Sequence, residues 1–438
     1  RSTGRFTFRY DDQPLTAGNS LQTISRENNQ SMSGGAFVRY RTKILGSHID
    51  TFFEGTAEAR GLAGPVQNPS PRASQQTARG MASGRLTREF ESGGTLQFRS
   101  YARSDSIILR GSIFGNEAVR QVDSSIGVEG SYSQLLADRH GLIATVSTGT
   151  DWLASSTDQD PSWGRLGIAV RDEVLLWSGN ISLVAAARFD LFGRFAVISP
   201  KVGAIFRLPS GFSLSLNGGQ ASRTPAFLEL YVKQGTLLPN PNLRPERAVT
   251  ADAIISWTHP MAGASIAGFW ARYEDLISYE YYPPQLAKPF NFQAASFNGL
   301  EAEAKFEPTH WLHVSANYGW MQSRNQSDDP RYYGNAVPFR PEHRFAGRFA
   351  LGVPLAKLQA ELIYQSAQFQ NRTETRILGE RAFFNVGISS IPWKKPQVMI
   401  SLEAKNILDV HSEDFDGYPL QPRSLFLTVG ISLLGESR

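Results

Sequence analysis

The stretch Gln397–Asn406 has the sequence QVMISLEAKN, in which apolar and more polar residues alternate. Val398, Ile400, Leu402 and Ala404 occupy every second position and are all apolar or small. The residues that alternate with them are Gln397, Met399, Ser401, Glu403 and Lys405. Because successive side chains of a β-strand point to opposite faces, this stretch predicts a strand with one apolar face and one more polar face.

The same alternation returns along the whole chain, for example in Thr95–Asp105, Ala248–Trp257 and Leu300–Glu307. These segments run for about 10 to 18 residues, whereas strands of globular proteins peak near 5 to 6 and a tilted membrane-spanning strand needs about 9 to 11. About 20 segments are predicted, with starts near residues 4, 33, 47, 78, 94, 118, 140, 162, 181, 194, 212, 246, 263, 289, 311, 341, 355, 381, 396 and 424. Their length favours strands that cross a bilayer.

The connections between the predicted strands alternate between two classes. Gly46–Ser47 and Ser178–Asn180 are tight turns, whereas Gly61–Thr77, Thr224–Pro245 and Asn325–Pro341 are long loops. Short turns on one side and long loops on the other are typical of outer-membrane barrels. The sequence therefore predicts an all-β protein: a transmembrane antiparallel up-and-down β-barrel of about 20 to 22 strands. Short periplasmic turns and long extracellular loops would join the strands, and residues 1–438 would form one barrel domain.

Composition excludes several other classes of protein. The chain has 438 residues, 41% of them hydrophobic, and no cysteine, so disulfide frameworks and thiolate metal sites are absent. No apolar run approaches the roughly 20 residues that a membrane helix needs. The 44 basic and 40 acidic residues give a net charge of +4, and the arginines are spread along the chain instead of clustered. We therefore expect no nucleic-acid partner.

No motif of a known catalytic site is present, and we expect no enzyme activity and no cofactor. Several carboxylates on the polar faces are predicted to lie in the lumen together with basic side chains. The carboxylates are Asp50, Asp252, Glu301, Glu303 and Glu403, and the basic residues are Arg99, Arg103 and Lys405. We interpret them as partners of these basic groups and not as paired catalytic acids. His411, Glu413, Asp414 and Asp416 form an acidic loop that would suit a hard cation. A solvated loop is the preferred interpretation, so no metal site is predicted.

Two stretches carry a more specific signal. The first runs through Ala221–Tyr231, ASRTPAFLELY, continues with Gly235 and ends in Asn240–Glu246, NPNLRPE. Together they resemble the signature of TonB-dependent outer-membrane receptors. The residues that match it are Arg223, Pro225, Glu229, Asn240, Pro241, Pro245 and Glu246. We expect structural roles for them, because Asn-Pro and Arg-Pro steps favour extended and turn conformations. Arg223 and Glu229 are expected in a charged cluster near the barrel rim.

The second stretch is Asn406–Asp409, NILD, followed by Tyr418–Arg423, YPLQPR. It is similar to the segment that precedes the last strand in the same receptor family. The matching residues are Asn406, Asp409 and Arg423, which we interpret as structural. Asn298–Glu301, NGLE, resembles a further strand of that family.

The resemblance implies a receptor in the outer membrane of a Gram-negative bacterium that takes up a scarce, bulky nutrient such as a ferric siderophore or cobalamin. Its implied partners are outer-membrane lipid or lipopolysaccharide and the TonB energy-transducing complex, which acts through a plug domain inside the barrel. The alternative is a plugless barrel that serves as a passive pore or as an outer-membrane scaffold subunit of a larger complex.

The sequence departs from the family in its N-terminal part. No stretch before the first predicted strand resembles a plug, and one or two strands of the family barrel are not accounted for. We therefore expect the sequence to be the barrel part of a receptor whose plug precedes Arg1 or is a separate subunit.

The resemblance places ligand binding on the outer loops, for which Thr224–Pro245, Tyr281–Pro289 and Asn325–Pro341 are the candidates. Four tyrosines in the last two loops are the predicted substrate-binding residues, because aromatic rings stack on flat ligands. They are Tyr281, Tyr282, Tyr332 and Tyr333. Packing at the rim is the alternative role for all four.

Overall fold

The computed structural model describes residues 6–10, 22–64, 66, 69–111, 118–156, 160–233, 237–282, 286–353, 355–394, 397–415 and 417–432. The strands are β1 Phe6–Tyr10, β2 Gln22–Arg26, β3 Ser31–Ile44, β4 Ser47–Gly61, β5 Ser74–Glu89, β6 Thr95–Arg110, β7 Val119–Leu136, β8 His140–Ser155, β9 Ser162–Leu176, β10 Ile181–Phe192, β11 Phe195–Arg207, β12 Phe212–Arg223, β13 Glu246–His259, β14 Ala262–Tyr282, β15 Leu286–Thr309, β16 Leu312–Asn325, β17 His343–Val353, β18 Ala356–Gln365, β19 Gln368–Phe369, β20 Ile377–Leu378, β21 Arg381–Lys394, β22 Gln397–Lys405, β23 Glu413–Phe415, β24 Tyr418–Pro419 and β25 Ser424–Ser432. One α-helix, α1, spans Phe227–Tyr231.

Nineteen of the described strands form a closed barrel, in which neighbours along the chain pair antiparallel. The strands outside it pair in twos, β1 with β2, β19 with β20 and β23 with β24. No helix among the described residues is long and apolar enough to cross a membrane. The predicted all-β barrel architecture is confirmed.

The predicted segment starts correspond to the observed barrel strands with one exception. Nineteen of the 20 predicted starts coincide with a barrel strand to within about four residues, inside the boundary error expected of sequence patterns. The segment near residue 4 is the exception, because its strand β1 pairs with β2 in a separate two-stranded sheet. Five alternating residues, Phe6–Tyr10, are too few to cross a bilayer.

Turns and loops are segregated as the sequence predicted. On one side, Leu45 and Gly46 close the β3–β4 hairpin with φ of 49° and 76°, the left-handed conformations that a tight antiparallel turn requires. On the other side lie the long connections, including 62–73, 224–245, 326–342 and 366–380. These two ends are called here the turn side and the loop side.

One predicted loop is wrong in part. Tyr281–Pro289 was expected to be a loop, but β14 continues through Tyr282 and β15 begins at Leu286. Residues 286–289 pair with residues 279–282 in a regular antiparallel register. The two strands run for 21 and 24 residues, so the hairpin projects far beyond its neighbours on the loop side. Pro283–Gln285 lie outside the described residues.

The alternation along each strand separates a lipid face from a lumen. On β8, Val146 and Trp152 point outward and are 53% and 40% exposed, whereas Leu153 points inward and is buried. Inward-facing ion pairs line this wall. Arg79 Nε on β5 lies 2.5 Å from Asp105 Oδ1 on β6, and Arg103 Nε lies 3.0 Å from Asp105 Oδ2 within β6. The polar faces therefore form a charged, largely self-paired lumen wall.

This partition predicts the effect of charge on either face of β8. Val146→Arg places a guanidinium in the hydrocarbon region and is expected to destabilise the barrel by about 2–4 kcal/mol. Thr145→Arg, one residue away, enters the lumen opposite Ser131 and Ala169 and is expected to cost much less. Urea titration of the two variants folded into vesicles measures the difference, and equal losses would contradict the assigned faces.

Candidate functional site

The loop between β12 and β13 folds back over the barrel mouth, starting with α1. Pro225 is fully buried, and Ala226 adopts an extended backbone directly before the helix. The Ala226 backbone N–H donates to Glu229 Oε2 at 2.7 Å, which satisfies one of the donors exposed at a helix start. A proline before the helix and a carboxylate in its first turn thus determine where the chain turns inward.

Apolar contacts hold α1 against the inner face of the barrel. Phe227 packs on Leu153, and Leu230 packs in a cluster with Phe195. Trp163 contacts both clusters, with its ring 4.6 Å from that of Phe227. These partners come from the loop-side ends of β8, β9 and β11. The helix therefore connects β8 and β9, which are not neighbours of β12, with the β11–β12 part of the wall.

Gly193 permits this packing, because it has a φ of +53° in the tight β10–β11 turn. A Cβ at this position would lie 2.9 Å from the ring of Trp163. Glycine therefore lets the turn and the aromatic ring occupy the same corner of the mouth.

One arginine joins two buried carboxylates below the helix. Arg223 Nε donates to Glu246 Oε2 at 2.7 Å and Nη2 donates to Oε1 at 2.8 Å, a bidentate pair between the facing ends of β12 and β13. Its Nη1 also donates to Glu229 Oε2 at 3.2 Å. Glu229 and Glu246 are 9% and 8% exposed. We call these three residues the mouth network.

The mouth network extends to β14 through the backbone. The Ile277 N–H donates to Glu246 Oε1 at 2.7 Å, so this carboxylate accepts from both a guanidinium and an amide. Two buried carboxylates would repel each other strongly in the absence of the shared cation. The network therefore fixes α1, β13 and the projecting β14–β15 hairpin in one arrangement.

The Asn-Pro-Asn segment attaches the far end of the same loop to β15. Asn240 Nδ2 donates to the Pro289 carbonyl at 2.9 Å, and its Oδ1 accepts from the Asn242 N–H at 3.1 Å. Pro241 offers its carbonyl to the guanidinium of Arg194. Pro245 then leads directly into Glu246 at the start of β13.

Arg244 forms a second ion pair with Asp275 of β14, which raises the pKa of the Arg244 guanidinium. Asn291 on β15 completes the contact: its Oδ1 accepts from the Arg244 N–H, and its Nδ2 donates to the carbonyls of Arg244 and Asp275 at 2.9 and 2.7 Å. This pair is more exposed than the mouth network: the Arg244 and Asp275 side chains are 69% and 28% exposed, against 47% for Arg223 and 11% for each of its two glutamates.

The second sequence motif closes the loop between β22 and β25. Asn406 is 4% exposed and adopts a φ of 49°; its side chain donates to the Val410 carbonyl and accepts from the Val410 N–H. Asp409 Oδ1 accepts from the Arg423 N–H at 2.9 Å, across the base of the loop. The three motif residues thus hold together the two ends of one loop.

Tyr332 takes part in a contact among three loop-side segments. The guanidinium carbon of Arg372 lies 4.4 Å from the Tyr332 ring centre, 5.0 Å from that of Phe290 and 5.6 Å from that of Phe292. Arg372 belongs to the β18–β21 connection and the two phenylalanines to β15. We call these four residues the loop cluster. Cation–π attraction between them joins the projecting hairpin to two long loops.

The structure describes the side chains of two of the four predicted substrate-binding tyrosines, Tyr332 and Tyr333. Tyr332 is partly covered by Arg372, whereas Tyr333 is 67% exposed. Tyr281 and Tyr282 lie in β14 and pair with Ala287 and Leu286, and their side chains lie outside the described part of the structure.

The loop of Tyr332 also contains its own ion pair. Arg331 binds Asp329 at 2.7 Å and lowers the pKa of that carboxyl to about 2. Asp329 is thus ionised throughout the physiological range.

The lumen carboxylates named from the sequence have mixed surroundings. Asp50 pairs with Arg39 and Arg41, Asp252 accepts from Asn217 Nδ2 at 2.7 Å, and Glu403 lies 3.8 Å from Lys405. Among the described residues Glu301, Glu303 and Arg99 take part in no ion pair, so the expectation of mutual pairing holds for part of the set.

Two residues of the acidic loop, Glu413 and Asp414, bond to other groups of the protein. Asp414 pairs with Arg381 at 2.7 Å, and Glu413 Oε2 accepts from the Gly417 N–H at 3.0 Å. Asp416 lies outside the described residues. In the described part of the chain no group of three or more His, Asp or Glu residues is arranged to hold a metal ion.

Sequence reasoning missed Arg372, Asn291 and the two phenylalanines of β15. Their partners lie 16 to 82 residues away in the chain, and only the barrel register brings them together. The alternation of Phe290 and Phe292 in the sequence indicated one face of a strand. No local pattern indicated that the guanidinium of Arg372 lies over these two rings.

The mouth network predicts a local loss of protection when its cation is removed. Arg223→Gln leaves Glu229 and Glu246 without a counter-charge and is expected to reduce the opening free energy at Ile277 N–H by about 1.5–3 kcal/mol. Hydrogen exchange of the reconstituted protein measures it. Arg244→Gln, which removes a mostly exposed pair, is the control and should cost about 1 kcal/mol or less. Unchanged exchange at Ile277 in the first variant would contradict the assignment.

The loop of the second motif gives a comparison of two substitutions. Asn406→Ala removes a buried amide that both donates and accepts and should expose 406–423 to limited proteolysis, at a cost of about 1–3 kcal/mol. Asp409→Asn keeps an acceptor for the Arg423 N–H and loses only a charge 3.9 Å from the Arg423 guanidinium. It should therefore be cut at nearly the native rate, and equal cleavage of both variants would refute the distinction.

Comparisons with known proteins agree with this architecture. Residues 1–407 match the family described as TonB dependent receptor-like, beta-barrel. The vitamin B12 transporter BtuB of Photobacterium profundum is 22% identical over 235 residues, 52% of this chain and 36% of that protein. BtuB of Vibrio vulnificus is 33% identical over 113 residues, 25% of this chain and 18% of that protein. The chain thus spans about a third or less of the length of these relatives in the matched regions.

Solved structures share the fold at low sequence identity. The unliganded ferric citrate transporter FecA superposes with a TM-score of 0.76 at 14% identity, covering 93% of this chain and 71% of FecA. The copper transporter OprC gives 0.75 at 14% identity, covering 92% of this chain and 72% of OprC. Together with the family match over most of its length, the barrel and its two loop-closing motifs show that this chain belongs to the TonB-dependent receptor family.

Proposed function

We propose that this chain is the barrel of an outer-membrane receptor for energised uptake of a scarce, bulky nutrient, a ferric siderophore, cobalamin or a similar metal chelate. The observation that carries the proposal is the family's barrel with its mouth network in place at the loop side. Proteins similar to this chain transport vitamin B12, copper and ferric citrate. A Gram-negative outer membrane is the location that the proposal requires.

The proposal includes a plug inside the barrel. Residues 1–438 supply the wall, and the plug belongs to a preceding segment or to a separate subunit. Within the described part of the chain, the lumen carboxylates Glu301 and Glu303 have no ion pair, which supports a polar occupant, because charged groups inside a barrel need water or a polar partner. The TonB complex would act on the plug, while the barrel keeps the loops in place.

The outer loops supply the proposed ligand site. The loop cluster and the mouth network hold the β14–β15 hairpin and the long loops as one surface. Of the two predicted tyrosines whose side chains the structure describes, Tyr333 is exposed, and the ring of Tyr332 lies against the guanidinium of Arg372. Tyr281 and Tyr282, at the end of the hairpin, complete the proposed contact set.

Uptake by living cells tests the transport proposal. Cells that express the complete receptor should accumulate one labelled compound from a panel of ferric siderophores, cobalamin and copper chelates. Accumulation should cease when TonB is deleted or when an uncoupler collapses the proton-motive force. Uptake that persists without TonB would contradict the proposal, and a large steady conductance of the purified protein in planar bilayers would then support an open pore.

The tyrosines give a residue-level prediction for the same ligand. Tyr333→Ala should weaken ligand binding by about tenfold through lost stacking, with the barrel's stability unchanged. Tyr332→Ala should weaken binding and also loosen the loops, because Arg372 loses one aromatic partner. Tyr132→Ala, on the lipid face near the turn side, is the control. Native affinity in both loop variants would show that Tyr332 and Tyr333 do not bind the ligand.

A further inference from the structure

Two arginines lie directly opposite each other on the lumen face of β5 and β6. Arg85 pairs in register with Arg99, and each is four residues from the turn-side end of its strand. Both are exposed, and both share the inward face of Arg79 and Asp105. Side chains in such positions have Cβ atoms about 4.5–5.5 Å apart, so their like charges repel each other. We call these two residues the arginine pair.

The acidic residues nearest to the arginine pair in the wall do not offset its charge. Asp50 lies opposite Arg85 on β4, but Arg39 donates to both of its carboxylate oxygens, and Arg41 Nε lies 3.4 Å from its Oδ2. Glu129 lies opposite the other arginine of the pair on β7 and forms no salt bridge with it. Within the described part of the chain, neither member of the arginine pair has an acidic partner.

The charge of the lumen wall differs between its two halves. Near the arginine pair, the lumen face of β3 adds the cations Arg39, Arg41 and Lys43. About half the circumference away, β13 and β15 carry the carboxylates Asp252, Glu301 and Glu303, with Lys305 beside them. Fields of this kind are focused inside a cavity with low-dielectric walls. An anion in the lumen is therefore attracted to the arginine pair and repelled by the opposite wall.

The chemistry of the arginine pair selects the kind of ligand. A guanidinium group binds a carboxylate or a phosphate through two parallel N–H···O bonds. Two such groups on neighbouring strands can bind two anionic groups of one solute, or share one of them. A neutral solute would leave the repulsion between the arginines in place, and a cation would add to it.

We propose that Arg85 and Arg99 form a binding site for the carboxylate or phosphate groups of an anionic solute in the turn-side third of the lumen. Arg39 and Arg41, held by Asp50, add to the attraction. The identity of the solute rests on the proposed transport function: it is an anionic metal chelate that has left the outer loops and binds here before it enters the periplasm. The site thus favours anionic over neutral or cationic cargo, at a place remote from the tyrosines of the outer loops.

Thiol labelling tests the site, because this chain contains no cysteine. Gln97→Cys places a thiol two residues from Arg99 on the same face, in the complete receptor purified in detergent with any cysteine outside residues 1–438 replaced by serine. The rates of reaction with an anionic and a cationic methanethiosulfonate reagent are measured, and their ratio cancels effects on the thiol itself. This ratio should favour the anionic reagent, and Arg85→Gln with Arg99→Gln should lower it at least about tenfold.

Citrate serves as the probe for binding. It should slow labelling by the anionic reagent in the receptor with the native arginines and should have no effect in the double glutamine variant. Arg85→Lys with Arg99→Lys keeps both charges but loses the bidentate geometry, so it should retain the ratio of rates and weaken protection by citrate. This second variant tests the site even when the glutamine variant does not fold.

Matched controls separate the site from general effects of charge. Arg88→Gln with Arg110→Gln removes the same charge from the outer face of the same two strands and should change neither readout. Asn317→Cys, opposite Glu303 on the acidic wall, should favour the cationic reagent.

An unchanged ratio of rates in the double glutamine variant would overturn the proposal. So would a receptor with native arginines that citrate does not protect, as when a carboxylate of the protein itself occupies the arginine pair. The labelling assay needs neither TonB nor uptake, so a failure of the transport proposal would leave its result unchanged.

Discussion

Inside a bilayer every backbone N–H and C=O must find its hydrogen-bond partner within the protein, and this requirement explains the closed barrel. Nineteen described strands meet it by pairing around a closed barrel. Continuous pairing forces alternate side chains to opposite faces, so the same strands supply both an apolar exterior and a charged lumen. Ion pairs such as that of Arg79 with Asp105 then connect strands that the backbone has already placed side by side.

Where the strands end, hydrogen bonds from side chains take the place of the backbone hydrogen bonds between strands. Four asparagines serve loop carbonyls and amides in this way: Asn28, Asn240, Asn291 and Asn406. An amide side chain has the same donor and acceptor as a peptide group, which lets it continue a hydrogen-bond pattern that the chain has left. Arg223 also connects segments where the strands end, but it does so with a charged group. It neutralises two buried glutamates that join a helix and two strands. Side-chain hydrogen bonds and this ion pair thus hold loop-side segments to the strands that they connect.

Local pattern was sufficient for most of the barrel and for the motif residues, but not for their contacts. Strand alternation located the barrel strands because the bilayer imposes one period and one minimum length on each of them. It failed at Phe6–Tyr10, where a short alternating segment pairs outside the barrel, and at the β14–β15 hairpin, where pairing continues into an expected loop. In both places the choice depends on which neighbouring strand is available, and that information is not local.

The fold class, the two sides of the barrel and the family could all be predicted from the amino-acid sequence, because periodicity, strand length and turn residues are properties of neighbouring positions. Two arrangements became visible only in the folded chain: Glu229 and Glu246 share one arginine, and Arg372 lies over Phe290 and Tyr332. Each of these contacts joins residues from different strands or loops. Their geometry is set by register and closure of the whole barrel, which no single segment specifies.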